Sequence, residues 1–169
     1  VQIDSLRLDE VLTVERADEF HRGLDGRARD EAALLAQLDA RLLISDAPPL
    51  GCAAAAAAGI PSVAVTNFTW DWIYEGYRDH LAGAPNLLPA IRDAYRCAEA
   101  AWRLPMHGRF ATFDSIIDVP FVARHAHRPR AEVRRALGLP PDRPLVLSSF
   151  GGYGVSGLDL MRLDCLAEY

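Results

Sequence analysis

Apolar residues recur at near-helical spacing through the first forty positions of the chain. This spacing predicts a helix from Asp9 to about Leu24, punctuated by Gly23 and Gly26, and a second helix over Arg29–Ala40. The apolar faces that we expect to meet a core carry Val11, Val14, Ala17 and Phe20 in the first helix, and Leu34, Leu35 and Leu38 in the second.

The next segment changes from helical to strand-like patterning. Arg41–Ser45 is a short apolar run that predicts a buried strand, and Ile60–Thr66 is a second, valine-rich one. Between them, Gly51–Ala58 predicts a helix made almost entirely of alanine, which Gly59 ends. Strand, helix and strand in this order predict a parallel βαβ unit with a right-handed crossover. The expected fold class is therefore α/β, with a Rossmann-like parallel sheet.

The pattern is less regular after the second strand. Residues 68–83 are aromatic and predict irregular structure, whereas Leu87–Trp102 predicts a longer helix. Residues 104–128 mix loop with short apolar pieces and show no clear period.

A proline-rich turn over 139–144 suggests a boundary between two domains. It follows a short predicted helix over Arg130–Leu137, and an apolar run over 145–150 predicts a buried strand directly after it. We expect part of one Rossmann-like domain over 1–128, a linker over 129–144 and the start of a second domain over 145–169. The patterns at both termini look interrupted, so the chain is expected to be a piece of a longer protein.

Three glycines follow the strand predicted over 145–150. Gly151, Gly152 and Gly154 would let backbone N–H groups approach an anion closely, because no Cβ stands in the way. A following helix would add its N-terminal dipole, and the combination suits the phosphates of a nucleotide. The alternative is a tight structural turn, which this motif taken alone favours, because neither a G-x-G-x-x-G fingerprint nor a Walker lysine is present.

Polar residues follow the two earlier predicted strands directly. Ligands of parallel α/β sheets bind beyond the carboxyl ends of the strands, where Asp46 and Asn67 are expected. Asp46 is a candidate catalytic residue that could act as a base or hold a hydroxyl group. The alternative is a local role in a turn or at a helix N-terminus.

The segment after Asn67 places two tryptophans around a carboxylate. Trp70, Asp71 and Trp72 suit a sugar, whose C–H faces pack on aromatic rings while its hydroxyls bond to an acid. The alternative is core packing for one or both tryptophans. His125 and His127 resemble a metal pair, but no cysteine or carboxylate cluster accompanies them, so no metal site is predicted.

Composition narrows the function further. The formal net charge is −5, and the arginines at 124, 128, 130, 134 and 135 cluster only loosely, so a nucleic-acid partner is not expected. No apolar run is long enough for a membrane span. The three cysteines are widely separated, which favours free thiols in a reducing compartment and a cytoplasmic location.

Two blocks carry a family resemblance. The first runs from Ser45 through the alanine-rich helix and Gly59–Ala64 to Asn67–Tyr74, and the second runs from Glu132–Pro140 into 145–154. Together they resemble a bacterial branch of the GT-B glycosyltransferases, similar to the glycosyltransferase-like domain that precedes the kinase domain in plant L-arabinokinases. The resemblance covers most of the chain, and its most specific part is Asn67–Tyr74.

The resemblance implies two Rossmann-like domains that face each other across a cleft. Gly151, Gly152, Tyr153 and Gly154 would lie at the phosphates of a nucleotide-diphosphate sugar, the donor substrate, and Asp46 and Asn67 would lie on the acceptor side. No covalently bound cofactor and no protein-held metal are implied. The implied activity of the parent protein is sugar transfer to an unknown acceptor, and this piece alone is expected to be inactive. The alternatives are a non-catalytic binding module associated with a sugar kinase and a sugar-nucleotide epimerase.

Overall fold

A computed structural model describes residues 1–147, 149, 152, 154, 155 and 157 of the chain. Its contacts separate two compact units. The first consists of Val1 and Asp9–Val122, and the second of Gln2–Leu8 and Ala123–Tyr169. The domain limits expected from the resemblance stay predictions.

The first unit alternates helices with short strands. In chain order its elements are α1 (Glu10–Arg22), α2 (Leu24–Gln37), β1 (Leu43–Ser45), α3 (Pro49–Ala58), β2 (Ser62–Thr66), α4 (Trp70–Glu75), a 3₁₀ helix (Arg78–Gly83), α5 (Leu87–Arg96), β3 (Ala100–Arg103) and β4 (Ile116–Asp118).

The four strands form one parallel sheet in the order β1-β2-β3-β4. Leu43 lies opposite Ser62, Val63 opposite Ala100, and Ala101 opposite Ile116. The α/β class and the parallel βαβ unit β1-α3-β2 are confirmed. Because all strands run the same way, their carboxyl ends meet at one edge of the sheet, and the loops that start there can share a site.

The two N-terminal helices bury only part of the apolar faces that their periodicity predicted, together with small residues. Asp9 caps α1 by accepting a hydrogen bond from the Leu12 N–H at 2.9 Å. The buried positions are Val14, Ala17 and Asp18 in α1, and Leu24, Ala28 and Ala32 in α2. Val11, Phe20, Leu34 and Leu38 are exposed, and this part of the prediction is wrong. Helix α2 instead presents its alanine face to α3, where small side chains allow close approach.

Helix α3 shows how small residues let a helix lie against the sheet. Pro49 opens the helix, where a missing N–H costs nothing. Gly59 ends it with a left-handed φ of 69°. An added Cβ at Gly51 would lie 2.8 Å from Ser45 Oγ and 3.1 Å from Ser45 Cβ, so β1 leaves no space for a side chain there.

Two segments differ from the sequence prediction. Residues 68–83 are ordered as α4 and the 3₁₀ helix rather than irregular. The helix predicted over Leu87–Trp102 ends at Arg96, and Ala100–Arg103 is a strand. The Glu99 N–H donates to Ser62 O at 3.0 Å and thereby starts the pairing with β2. Alanines and one tryptophan fit either period, and strand pairing decides the outcome.

The core of the first unit lies between the sheet and helices α1, α3 and α5. Leu87, Ile91 and Tyr95 of α5 are fully buried there. Cys52 is a buried free thiol whose pKa burial raises to about 11, and Cys97 is free and exposed, as predicted. Cys165 lies outside the described residues.

The second unit contains helix α6 (Arg130–Ala136) and a short N-terminal turn. Gly138 follows α6 with a left-handed φ of 64°, a conformation that favours glycine after a helix. Leu145, Val146 and Leu147 are exposed and are not in a strand, which differs from the strand predicted over 145–150. Among the residues that the structure describes, they have no ladder partner that would make them a strand. Positions 148 and 150 lie outside the described residues.

The described residues include no helix that is both long and apolar enough to cross a membrane.

Substitutions at two helical glycines should change the free energy of unfolding in opposite directions, because Gly51 packs against β1 and Gly26 has open space around it. Gly51→Val should reduce the free energy of unfolding by about 1–3 kcal/mol, because its side chain would overlap Ser45. Gly26→Ala in α2 meets nothing within 4 Å and should raise it by about 0.5–1 kcal/mol through helix propensity. Urea denaturation of both variants measures these changes. Equal stability of Gly51→Val and the parent would contradict the packing at this position.

Candidate functional site

One buried hydroxyl joins the loops that follow β1 and β2. Tyr95 in α5 donates its O–H to Ala47 O at 2.6 Å and accepts the Trp70 N–H at 3.2 Å. Ala47 has a φ of 71°, which an L-residue rarely adopts, and this hydrogen bond helps to hold it there. Burial raises the pKa of Tyr95 strongly, so the phenol stays protonated and available as a donor.

The loop after β3 is attached to the loop after β2 by backbone groups. The Gly108 N–H donates to Asn67 O at 2.9 Å, and Leu104 N–H donates to Thr66 O at 2.9 Å. Thr69 caps α4 by accepting from the Trp72 N–H at 3.4 Å, and its hydroxyl donates to Arg109 O at 3.3 Å. The start of α4 and the loop over 104–110 therefore form one connected surface beyond the carboxyl ends of β2 and β3.

A cavity of about 400 Å³ opens on this surface, and we call it the Trp72 cavity. Its walls combine aromatic rings, two cations and a carboxylate. The lining residues are Trp72, Ile73, Glu75, Gly76, Tyr77, Arg78 and Arg109. Arg78 and Arg109 have no carboxylate partner among the described residues, so both guanidinium groups can donate to a ligand.

The indole of Trp72 lies on the backbone of Gly108. A Cβ built at Gly108 would stand 2.5 Å from Cε3, 2.6 Å from Cδ2 and 2.7 Å from Cζ3 of the ring. Three nearly equal distances place that Cβ over the face of the ring rather than at its edge. Glycine at 108 is therefore required for this ring position, and Trp72 remains 37% exposed.

Asp71 is buried rather than presented to solvent. Its Oδ2 accepts the Thr112 hydroxyl at 2.7 Å and Arg92 Nε–H at 3.4 Å, while Oδ1 has no partner among the described residues. Arg92 also pairs with Glu75. This carboxylate joins α4 to α5 and to the loop after β3. Its predicted contact with a sugar hydroxyl stays a prediction.

The other predicted residues of this segment have different surroundings. Trp70 packs partly buried against the core and stacks on Tyr74, with ring centroids 5.7 Å apart. Its arrangement agrees with the core alternative raised for one tryptophan. Asn67 is exposed, and its carbonyl holds Gly108 as described above.

Asp46 belongs to a second, more apolar cavity. It is exposed and lines a space of about 410 Å³ at the edge of the sheet, with Ser45, Pro48, Leu50 and Leu43 among its neighbours. Ser45 Oγ donates to Pro48 O at 2.7 Å and shapes the turn. The structure thus separates Asp46 from the Trp72 cavity, although both follow strands of the same sheet. Its catalytic role stays a prediction.

Charged residues also end β3 and β4. Arg103 and Asp118 form a two-point ion pair with N–O distances of 2.7 and 3.0 Å. The Arg103 guanidinium lowers the pKa of Asp118, mainly by hydrogen bonding. In the described part of the chain no three His, Cys, Asp or Glu side chains are grouped closely enough to hold a metal ion.

The predicted glycine loop is described only in part. Gly152 is exposed, with no atom of the described residues within 4 Å of an added Cβ, and Gly154 has a φ of 66°. Gly151 and Tyr153 lie outside the described residues. The phosphate-binding role of all four stays a prediction.

Tyr77, Arg78 and Arg109 are among the residues of the Trp72 cavity that sequence reasoning missed. The signal that could have found them is position, because the first two follow α4 and the third lies in the loop after β3. That loop belongs to the segment in which the sequence shows no clear period.

Comparison with known proteins gives one informative similarity. The chain is 38% identical over 157 residues to L-arabinokinase of Arabidopsis thaliana, which covers 90% of this chain. The chain spans only 15% of the length of that protein. No family model matches the chain, and no solved structure matches it significantly. A relation to L-arabinokinase is supported, and the GT-B family assignment stays a prediction.

Removing one hydroxyl tests the link between the first two loops. Tyr95→Phe should lower the free energy of unfolding by about 1–3 kcal/mol, because Ala47 O and the Trp70 N–H would lose their partner in a buried place. Denaturant unfolding measures the loss. Tyr77→Phe is the control, because its tyrosine is less buried. A similar small loss in both variants would contradict the role of Tyr95.

A methyl group at Gly108 tests the position of the indole. Gly108→Ala should displace Trp72, because the added Cβ would lie 2.5 Å from the ring, and should cost about 1–3 kcal/mol of stability. The indole N–H resonance of Trp72 in an NMR spectrum reports the displacement. Gly83→Ala meets nothing within 4 Å and serves as the control. An unchanged Trp72 resonance in Gly108→Ala would show that the ring lies elsewhere.

Proposed function

We propose that this chain is a carbohydrate-binding module of a protein related to a sugar kinase, and that the Trp72 cavity takes the sugar. The similarity to L-arabinokinase supports the class of protein. That name specifies a kinase acting on L-arabinose, which makes this pentose and its relatives the first ligands to examine. The geometry of the cavity is the observation that carries the proposal.

The chemistry of the Trp72 cavity suits a monosaccharide. An exposed indole offers an apolar face for sugar C–H groups, and Arg78 and Arg109 offer donors to ring and hydroxyl oxygens. Glu75 accepts hydrogen bonds from hydroxyl groups. Concave sites of a few hundred Å³ with a few convergent polar groups are typical of small-molecule binding.

Binding rather than phosphoryl transfer is the role proposed for these residues. All 18 basic residues of the chain are arginine, so no lysine is available to hold a γ-phosphate in the P-loop manner. The described residues also hold no cluster of acidic groups for a metal ion. The chain spans a small share of the kinase that it resembles, and its module would present or sense a sugar for chemistry elsewhere in the protein.

Sugar transfer from a nucleotide-diphosphate sugar is a second candidate. The observation that favours it is the row of polar residues at one edge of a parallel sheet: Asp46, Asn67, Arg103 and Asp118 end or follow successive strands. Ligands of open α/β sheets bind at this edge. Epimerisation of a sugar nucleotide would use the same kind of edge, and no residue here favours it separately.

Calorimetric titration with free sugars tests the proposal. We expect the chain to bind L-arabinose or a related monosaccharide, and Trp72→Ala to weaken this binding at least about fivefold, since an aromatic contact contributes on the order of 1 kcal/mol. Trp102→Ala is the matched control, because Trp102 is 40% exposed against 37% for Trp72 and lies on β3 outside the cavity. Circular dichroism checks that both variants fold.

The outcomes separate the two candidates. Binding of free sugar that only Trp72→Ala weakens supports the module. Binding that requires a nucleotide-diphosphate sugar, followed by release of the nucleoside diphosphate, supports transfer. Equal affinities in the two tryptophan variants, or no sugar binding by the parent chain, would overturn the Trp72 cavity as a carbohydrate site.

A further inference from the structure

The second unit carries a cavity lined by arginines that the proposed function does not use. It has a volume of about 680 Å³, and it lies between helix α6 and the proline-rich turn that follows. Its charged lining residues are Arg130, Arg134, Arg135 and Asp142. We call it the arginine cavity.

Arg134 gives this cavity a fixed, buried cation. Only 9% of the residue is exposed. Its Nη1 donates to Arg143 O at 2.9 Å and also to Pro140 O, which folds the proline-rich turn back toward α6. Both acceptors are neutral carbonyls, and no carboxylate pairs with this guanidinium among the described residues. Its Nε and Nη2 groups have no hydrogen-bond acceptor in the described part of the chain, so an arginine fork is held in place with donors to spare.

The neighbouring arginines increase an uncompensated positive charge. Segment 123–143 contains six arginines and two carboxylates, although the whole chain has a net charge of −5. One of those carboxylates, Glu132, pairs with Arg128 at 2.9 Å on the exposed side. Arg130 and Arg135 have no carboxylate partner among the described residues. Among the described residues that line the cavity, Asp142 is therefore the one acid beside three arginines.

Helix geometry concentrates these charges further. Arg130 and Arg134 are four residues apart and share a face of α6, where like charges repel and destabilise a helix. An anion between them would convert this repulsion into attraction. Guanidinium groups present parallel N–H donors that match phosphate oxygens in a two-point contact.

We propose that the arginine cavity binds the phosphate or diphosphate group of a small molecule. Arg134 is the fixed donor, and Arg130 and Arg135 supply the further charge. The concave, local character of the site and the acidic net charge of the chain favour a small anion over an extended nucleic-acid backbone. The Trp72 cavity and the arginine cavity lie in different units, so each proposal can fail without the other.

Titration of the purified chain with pyrophosphate tests this site, with inorganic phosphate, sulfate and a nucleoside diphosphate as further arms. Pyrophosphate should bind more tightly than phosphate, and added sodium chloride should weaken both, because salt screens exposed charges. Arg130→Gln and Arg135→Gln should each weaken pyrophosphate binding about tenfold, the effect of losing a charge-assisted hydrogen bond. Arg29→Gln on α2 is the matched control, an exposed arginine with no described carboxylate partner, and should bind as the parent does.

Two further variants locate the bound anion. Gly152→Val adds a branched side chain in the predicted glycine loop, where the described surroundings leave room for it. Trp72→Ala alters the proposed sugar site. Neither should change pyrophosphate affinity. Circular dichroism and thermal melts check that the arginine variants remain folded.

The results decide the proposal as follows. A nucleoside diphosphate that binds more tightly than pyrophosphate identifies a nucleotide as the ligand, and equal affinity identifies the diphosphate group alone; both support the site. Three results overturn it. These are no pyrophosphate binding, equal losses in Arg29→Gln and the cavity variants, and a loss confined to Gly152→Val.

Discussion

The hydroxyl group of Tyr95 is the interaction on which the arrangement of the first unit depends. It is buried in α5 and joins the carbonyl of Ala47 to the N–H of Trp70. These two groups belong to the turns that follow β1 and β2. Neither has another hydrogen-bond partner among the described residues. A free N–H opens every helix, and here a distant tyrosine satisfies the first one of α4. This contact fixes the start of that helix, and the bonds of Thr69 and Asp71 hold the rest of it and Trp72 with it.

Further hydrogen bonds, mostly between backbone groups, attach the loop after β3 to the loop after β2. Asn67 and Thr69 hold Gly108 and Arg109 through main-chain atoms and a threonine hydroxyl. The Trp72 cavity is thus built from short elements that hydrogen bonds hold to their neighbours, although each element is too short to be stable alone. A site assembled from such pieces keeps its shape without large helices, because its polar backbone groups are already paired.

The sequence pattern correctly predicted the elements whose ends are set by neighbouring residues, and it failed where pairing with a distant strand decides the structure. The alanine helix between two apolar runs predicted β1-α3-β2, because an alanine run and the Gly59 stop are local signals. The helix begins at Pro49, two residues before the predicted start at Gly51. The boundary at Arg96 could not be read in this way, since Ala100–Arg103 becomes a strand only through its register with β2. The two polar strand ends were found from position, but the partners of Asp71 were not, because Thr112 lies 41 residues away.

The contact between Trp72 and Gly108 makes the two faces of the indole ring unequal. One face of the indole rests on the main chain, and the opposite face is the one left for a ligand. A flat purine or pyrimidine would offer a similar π face to this surface from either of its sides. A pyranose or furanose differs, because its two sides are unlike: one carries mostly C–H bonds and the other most of the hydroxyls. Such a surface favours the stereoisomer whose hydroxyl groups point away from the indole. Sugars that are epimers at a single carbon would therefore bind with different affinities.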